Sequence, residues 1–236
     1  MAETVVDFNT AGAGALVRRS VAAHGFCRIR DAFTGDDLAA LRDALNGLVA
    51  EPPTEQGLVW RSPMVDGGLV IQRISRANLF APTIWQAVVD SVQLARIGSW
   101  IFGGSPEDIA VATGLEGSDG VVAVIKDPRN ASEHAALRWH RDDTFTPHLN
   151  INPFVNCGIY LDSSDAQSGA LIVVPRDCLF PKDSGESLDT VAHQQFIEAA
   201  AGDVVVHAAD VWHRSGRSEP AGRLRRVVYG NVFKRQ

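Results

Sequence analysis

Five short runs of β-branched and aromatic residues in the second half of the chain constrain its fold more than any other feature. The runs cover residues 121–126, 154–160, 170–174, 203–207 and 226–233. Each has the length of a strand and turn-forming residues separate them, a pattern typical of a β-sandwich or barrel. Residues 191–200 fit either a helix or a strand, and we favour a strand.

The first 118 residues contain more helical patterns than strand patterns. A helix is predicted over residues 9–24, ending at Gly25. A second begins after the capping-box sequence at 34–37 and carries leucines at helical spacing. These are Leu38, Leu41, Leu45 and Leu48. A third helical block is predicted from Pro82, ending before Gly103.

Short strands are predicted over residues 26–30, near 58–60 and over 69–74. The expected fold is therefore mainly β, with helices packed outside the strands. No repeat or linker divides the sequence, so we expect one domain over residues 1–236. In it, residues 1–118 form a helix-rich flank with its own strands and 119–236 form the core.

Composition and charge favour a small-molecule partner. The chain has 236 residues and a net charge of −6, and its basic cluster at 223–226 is too short for a nucleic-acid footprint. No apolar run approaches the ~18 residues of a membrane span. Cys27, Cys157 and Cys178 form neither a CxxC pair nor a disulfide framework, which indicates a reducing, cytoplasmic location. The oligomeric state stays open.

The segment LRWHRDD, residues 137–143, has the spacing of a metal site. His140 and Asp142 are two residues apart in an extended-looking stretch, so both side chains would leave one face of a strand. His213 is a candidate third ligand from a later segment, and His207 is the nearest competitor. Two histidines and one carboxylate leave metal positions open, which suits non-heme Fe(II) oxygen chemistry. On these residues alone, structural roles for the histidines stay open.

Four segments, in order, resemble the phytanoyl-CoA dioxygenase family of Fe(II)- and 2-oxoglutarate-dependent oxygenases. They are HGFCRIRDAFTGDDLAALRDAL (24–45), VIKDP with LRWHRDD (124–128 and 137–143), GIYLDSSDAQSGALIVVP (158–175) and GDVVVHAADVWHRSGRSEPAGRLRR (202–226). The resemblance implies a cupin-like double-stranded β-helix, or jelly roll. It also implies Fe(II) held by His140, Asp142 and His213, with 2-oxoglutarate and O2 as co-substrates, and it favours His213 over His207.

The family also has an arginine about eleven residues after the distal histidine, and its guanidinium matches a carboxylate bidentately. Position 224 is leucine here, so we align Arg225 with that role, with Arg223 and Arg226 as rivals. Neighbours on a strand point to opposite faces, so at most one of Arg225 and Arg226 can face inward. Further candidates for 2-oxoglutarate binding are Ser215, Lys126 and Asn156.

The substrate pocket is expected beside the metal segments and in the first half of the chain. Its candidate residues are Trp60, Arg61, Gln72, Arg73, Trp139, Asp143, Phe145, His148 and Trp212. The predicted function is dioxygenase oxidation of a compact or polycyclic small molecule in a biosynthetic pathway. Halogenation is disfavoured, because halogenating relatives replace the carboxylate that Asp142 provides. The alternatives are a cupin-type metalloenzyme that does not use 2-oxoglutarate and a non-catalytic binding protein.

Overall fold

A computed structural model of the protein describes residues 4–115, 117–132, 135–144, 151, 153–180 and 191–236. Within these ranges the strands are β1 (Val5–Asp7), β2 (Phe26–Arg30), β3 (Val59–Pro63), β4 (Leu69–Ile74), β5 (Ile109–Val111), β6 (Val122–Lys126), β7 (Leu137–His140), β8 (Phe154–Tyr160), β9 (Leu171–Val173), β10 (Gln195–Ile197), β11 (Val204–Ala208), β12 (His213–Ser215) and β13 (Arg225–Lys234). All five predicted runs of the second half are strands, and residues 191–200 contain the short strand β10 as favoured.

The described strands form two sheets that are antiparallel except between β1 and β2. The larger sheet has nine strands in the order β1-β2-β11-β8-β13-β6-β4-β3, with β5 paired to β13. The smaller has four, in the order β10-β9-β12-β7. Strands of the first half, β1 to β5, are thus built into the same sheet as β6, β8, β11 and β13.

Helices α1 (Ala13–His24), α2 (Gly35–Ala50) and α5 (Val92–Phe102) belong to the first half of the chain. The predicted leucine stripe of α2 is buried. Helix α5 packs against β13 and β5 through Gly98, where an added Cβ would come within 2.6 Å of Ile109 and 2.9 Å of Val232. A side chain at this position would separate the helix from the sheet, so the glycine permits close packing.

The prediction of one helical block from Pro82 to Ile101 is wrong. The chain forms two short helices, α3 (Ala77–Phe80) and α4 (Pro82–Ile84), then a π-helical turn at Trp85–Val89 and, after Ser91, α5. Ser91 is extended, and its side chain accepts a hydrogen bond from the Leu94 N–H at 3.2 Å. This N-cap satisfies an amide that would otherwise lack a partner, so it starts a new helix where the apolar periodicity suggested continuity.

Two other boundaries differ from the sequence-based expectation. Thr34 is the N-cap residue of α2, but its side chain makes no capping hydrogen bond, so the predicted capping box does not form. Helix α1 begins at Ala13 rather than near Asn9. Across the described residues, no helix combines the length and the apolar character needed to cross a membrane.

Candidate metal centre

Strands β7 and β12 bring two of the predicted ligands together. They pair antiparallel in a register that sets His213 opposite His140, and the two ring centroids are 4.1 Å apart. Asp142 lies in a 3-10 turn, Asp142–Thr144, that follows β7, and not in the strand as its spacing suggested. One ligand atom from each of His140, Asp142 and His213 lies within 4.8 Å of the others. The fold therefore assembles the triad inferred from the sequence.

Backbone carbonyls orient both imidazoles. Nδ1 of His140 lies 2.8 Å from the Arg138 carbonyl, and Nδ1 of His213 lies 2.9 Å from the Val211 carbonyl. A carbonyl can only accept, so each Nδ1 carries the proton and each Nε2 keeps its lone pair. These Nε2 atoms lie 3.5 and 3.6 Å from Oδ1 of Asp142. Three unshared electron pairs thus converge on one point.

The protonation states of the buried ligands suit a cation. Burial, together with the neighbouring His207, lowers the pKa of His213 to about 3, so its imidazole is neutral at pH 7. Burial by itself would raise the pKa of Asp142, but the neighbouring imidazoles of His140, His207 and His213 outweigh it and hold that pKa well below the usual value. A neutral imidazole and an ionised carboxylate are the forms that bind metals.

The triad faces a cavity of about 720 Å³ between the two sheets. All four side chains predicted to hold 2-oxoglutarate line it, namely Lys126, Asn156, Ser215 and Arg225. A pocket of this size can hold a co-substrate and part of a small organic molecule beside a metal.

Of the three arginines considered for binding 2-oxoglutarate, Arg225 is the one that lines this cavity. It is 1% exposed, and its Nε and Nη1 atoms lack a hydrogen-bond partner among the described residues. Arg226 faces the other side of β13 and bonds to Asp162, with Nε 2.8 Å from the carboxylate. Arg223 is exposed, 3.4 Å from Asp165. A buried guanidinium without an anion is costly, so this end of the cavity favours an anionic ligand.

Lys126 lies beside Arg225 in the register between β6 and β13. It is 8% exposed, and its ammonium donates to the carbonyl of Ala135. Burial, with a smaller contribution from the charge of Arg225, lowers the pKa of Lys126 to about 7. Two buried basic groups at one end of a cavity favour a carboxylate ligand there.

The predicted substrate residues divide into two groups. Trp60, Gln72, Arg73 and Trp139 line the cavity. Arg61, Asp143 and Trp212 do not lie on its described wall. Phe145 and His148 lie outside the described residues.

Local geometry explains the three residues that lie away from the wall. Arg61 lines a separate pocket with Val59 and residues 52–57. Asp143 bonds to Arg141, with Oδ1 3.0 Å from its Nε. Trp212 stacks on Phe180 at a centroid distance of 4.1 Å.

Other wall residues were not among the predicted pocket residues. They include Asp119, Leu137, Arg214, Tyr229, Asn231 and His207. Arg73 forms an ion pair with Asp119, and the guanidinium of Arg214 lies 5.3 Å from the Trp139 ring centroid. Alternation along β13 from Arg225 could have indicated Tyr229 and Asn231. Arg214 lies between His213 and Ser215 on β12, so alternation would have placed it on the opposite face, and the pairing of β12 with β7 is irregular there. Asp119 has no such signal, because it lies outside the strands.

Comparison with known proteins agrees with this geometry. The model of the family described as phytanoyl-CoA dioxygenase (PhyH) matches residues 21–227. No curated protein matches the chain. The chain is similar to the crystal structure of AviO1 from Streptomyces viridochromogenes Tue57, with 22% identity, coverage of 96% of this chain and 97% of that one, and a TM-score of 0.69.

Two further solved structures carry ligands. EvdO2 from Micromonospora carbonacea var. aurantiaca, complexed with 2-oxoglutarate, is 16% identical over 92% of this chain and 89% of that one, with a TM-score of 0.67. The epimerase SnoN in complex with Fe3+, alpha ketoglutarate and nogalamycin RO is 14% identical over 94% and 84%, with a TM-score of 0.69. These likenesses confirm the predicted jelly-roll fold. The family match extends across both metal-binding segments and most of the chain, so the protein belongs to the phytanoyl-CoA dioxygenase family and is an iron- and 2-oxoglutarate-dependent oxygenase.

Proposed function

We propose that His140, Asp142 and His213 hold the ferrous ion of this oxygenase. The support is the convergence of two Nε2 atoms and one carboxylate oxygen within 4.8 Å, facing a cavity. A two-histidine, one-carboxylate set leaves positions open for a co-substrate and O2. Iron supplies the oxidising chemistry when it is bound, and the protein supplies orientation and exclusion of water.

In this proposal the distal carboxylate of 2-oxoglutarate binds Arg225. The observation that carries the proposal is that Nε and Nη1 of this buried guanidinium have no hydrogen-bond partner among the described residues. A carboxylate would satisfy its free N–H groups through charge-assisted hydrogen bonds. Lys126 adds a second positive charge, and Ser215 adds a hydroxyl from β12, two residues beyond His213. These groups fix the far end of the oxo acid, so its 2-oxo acid end faces the triad.

The organic substrate would occupy the rest of the cavity, against Trp60, Gln72, Arg73 and Trp139. Both indoles have a guanidinium near the ring. The guanidinium carbon of Arg73 lies 5.3 Å from the Trp60 ring centroid, and that of Arg214 lies 5.3 Å from the Trp139 ring centroid. Such walls suit a compact or polycyclic molecule with an apolar surface. SnoN, an epimerase from nogalamycin biosynthesis, supports a tailoring step on a natural product, by hydroxylation or another reaction that begins with hydrogen removal.

Turnover without the organic substrate tests the assignment. Purified protein with Fe(II), 2-oxoglutarate and O2 should release succinate slowly, and His140→Ala should abolish the release. His193→Ala is the matched control, since His193 is exposed in a loop. Equal succinate release from His140→Ala and the native protein would refute the proposed metal site.

The two alternatives make different predictions. A cupin-type enzyme would oxidise substrate at an undiminished rate without 2-oxoglutarate, and a binding protein would hold no metal. Neither alternative supplies an anion for the buried Arg225, and no feature of the described residues favours either one.

We also propose that the protein works in the cytoplasm, where thiols stay reduced. None of Cys27, Cys157 and Cys178 forms a disulfide in the part of the chain that the structure describes, and the first two are buried.

A further inference from the structure

The second oxygen of Asp142 has its own pair of hydrogen-bond donors. Nε2 of His207 and Nδ2 of Asn156 each lie 3.2 Å from Oδ2. The donors stand side by side on the larger sheet, where β11 and β8 pair His207 with Asn156. The carboxylate of Asp142, in the turn after β7, is therefore hydrogen-bonded to two residues of the larger sheet.

This arrangement makes the two carboxylate oxygens inequivalent. An ionised carboxylate oxygen has about two lone-pair sites, and two N–H groups fill both of those on Oδ2. Oδ1 instead faces Nε2 of His140 and of His213, at 3.5 and 3.6 Å. Oδ1 is thus the oxygen positioned to bind a metal, whereas Oδ2 has no electron pair left for one.

His207 is suited to holding the carboxylate and not to being a ligand. Its side chain is 2% exposed, and its Nε2 points at Oδ2, which can only accept a hydrogen bond. Donation uses the nitrogen that would otherwise bind the ion. Both donors sit on central strands, β11 and β8, whose backbone is fixed by neighbours on both sides.

We infer that His207 and Asn156 are positioning residues that restrict Asp142 to one metal bond, through Oδ1. The inference rests on the proposed function, in which the triad holds Fe(II). Two histidines and one carboxylate oxygen would leave positions on a bound ion open for the oxo acid and O2. A carboxylate that chelated through both oxygens would occupy one of these positions and would compete with a co-substrate.

Counting the waters on a bound Mn(II) ion tests the inference without relying on activity. The count comes from the broadening of the Mn(II) EPR spectrum in oxygen-17-enriched water. His207→Phe and Asn156→Leu remove one donor each. We expect the mean number of coordinated waters to be lower in each single variant than in the native protein, and lower by one in the double variant. Metal affinity should fall by about 10- to 100-fold, as is usual when a group that orients a ligand is lost.

Two further variants separate positioning from general disruption. His207→Gln keeps an N–H near the Nε2 position and should restore most of the native water count. Asn231→Leu alters an asparagine that lines the same cavity and pairs with Asn156 in the sheet, and it should leave the count unchanged. If His207→Phe does not fold, Asn156→Leu and His207→Gln decide the question.

The possible outcomes are distinct. Native protein that binds neither Mn(II) nor 2-oxoglutarate contradicts the proposed function itself. Native protein that binds both, with unchanged water counts in the folded variants, overturns the inference and leaves the proposed function intact.

Discussion

At the scale of single residues, the neighbouring Arg225 and Arg226 provide a matched test, because one is buried in the cavity and the other is paired with Asp162. Arg225→Met should raise the KM for 2-oxoglutarate by about 10- to 150-fold, since a hydrogen bond to a charged group contributes roughly 1.5–3 kcal/mol. Arg226→Met should leave this KM near its native value. The measurement is succinate release against 2-oxoglutarate concentration, and equal effects of the two variants would contradict the assignment.

Lys126 should make co-substrate binding depend on pH. Its pKa of about 7 means that the free protein loses this positive charge as pH rises above 7. A bound dicarboxylate favours the charged form, so affinity for 2-oxoglutarate should weaken from pH 6 to pH 8, and binding near pH 8 should take up protons. Calorimetry in buffers of different ionisation enthalpy measures this uptake, and Lys126→Met should show none.

The same shift in the pKa of Lys126 makes the free energy of unfolding depend on pH. Folding lowers the pKa of Lys126 from 10.5 to about 7, so the unfolded chain binds more protons between those values. The contribution of this residue to the free energy of unfolding is therefore least favourable below pH 7 and improves as pH rises through that window. Lys126→Met should remove this part of the pH dependence in urea unfolding curves.

At the scale of elements, helix capping differs between two positions that resemble each other in sequence. Ser91 caps α5 with its side chain, whereas Thr34 at the start of α2 makes no such bond. Ser91→Ala should lower the free energy of unfolding by about 1 kcal/mol, and Thr34→Ala should lower it by less than about half of that. Urea unfolding of both variants gives the comparison, and a larger loss at Thr34 would be inconsistent with these caps.

At the scale of the whole molecule, ligand binding should stabilise the fold. The site exists only when strands from different parts of the chain have come together, so the ligands bind the folded state and not the unfolded chain. Under anaerobic conditions, 2-oxoglutarate and Fe(II) at about 100 times their dissociation constants should each add about 2.7 kcal/mol. For a chain of this size, each such step raises Tm by roughly 5–10 °C. At the same ligand concentrations, the stabilisation by 2-oxoglutarate should fall to about 1.4 kcal/mol or less in Arg225→Met, while the stabilisation by Fe(II) persists, as measured by calorimetry.

Much of the fold was predictable from local patterns. The β-branched runs became strands and the leucine stripe of α2 became buried, because side-chain shape and periodicity act over a few residues. The spacing of His140 and Asp142, with the ordered family segments, also indicated the metal triad and Arg225. The break at Ser91 was not predictable from periodicity, since one side chain accepting one amide proton outweighed a continuous apolar pattern.

By itself, then, the sequence determined the strand-rich class, the family and the candidate ligands, because these depend on residue type and order along the chain. Only the tertiary structure decided which oxygen of Asp142 faces the two histidines, which indoles line the cavity and which of the neighbouring arginines is buried in it. His207, Asn156 and Asp142 are far apart in sequence and meet through sheet register, so their contacts follow from strand pairing that no local pattern encodes.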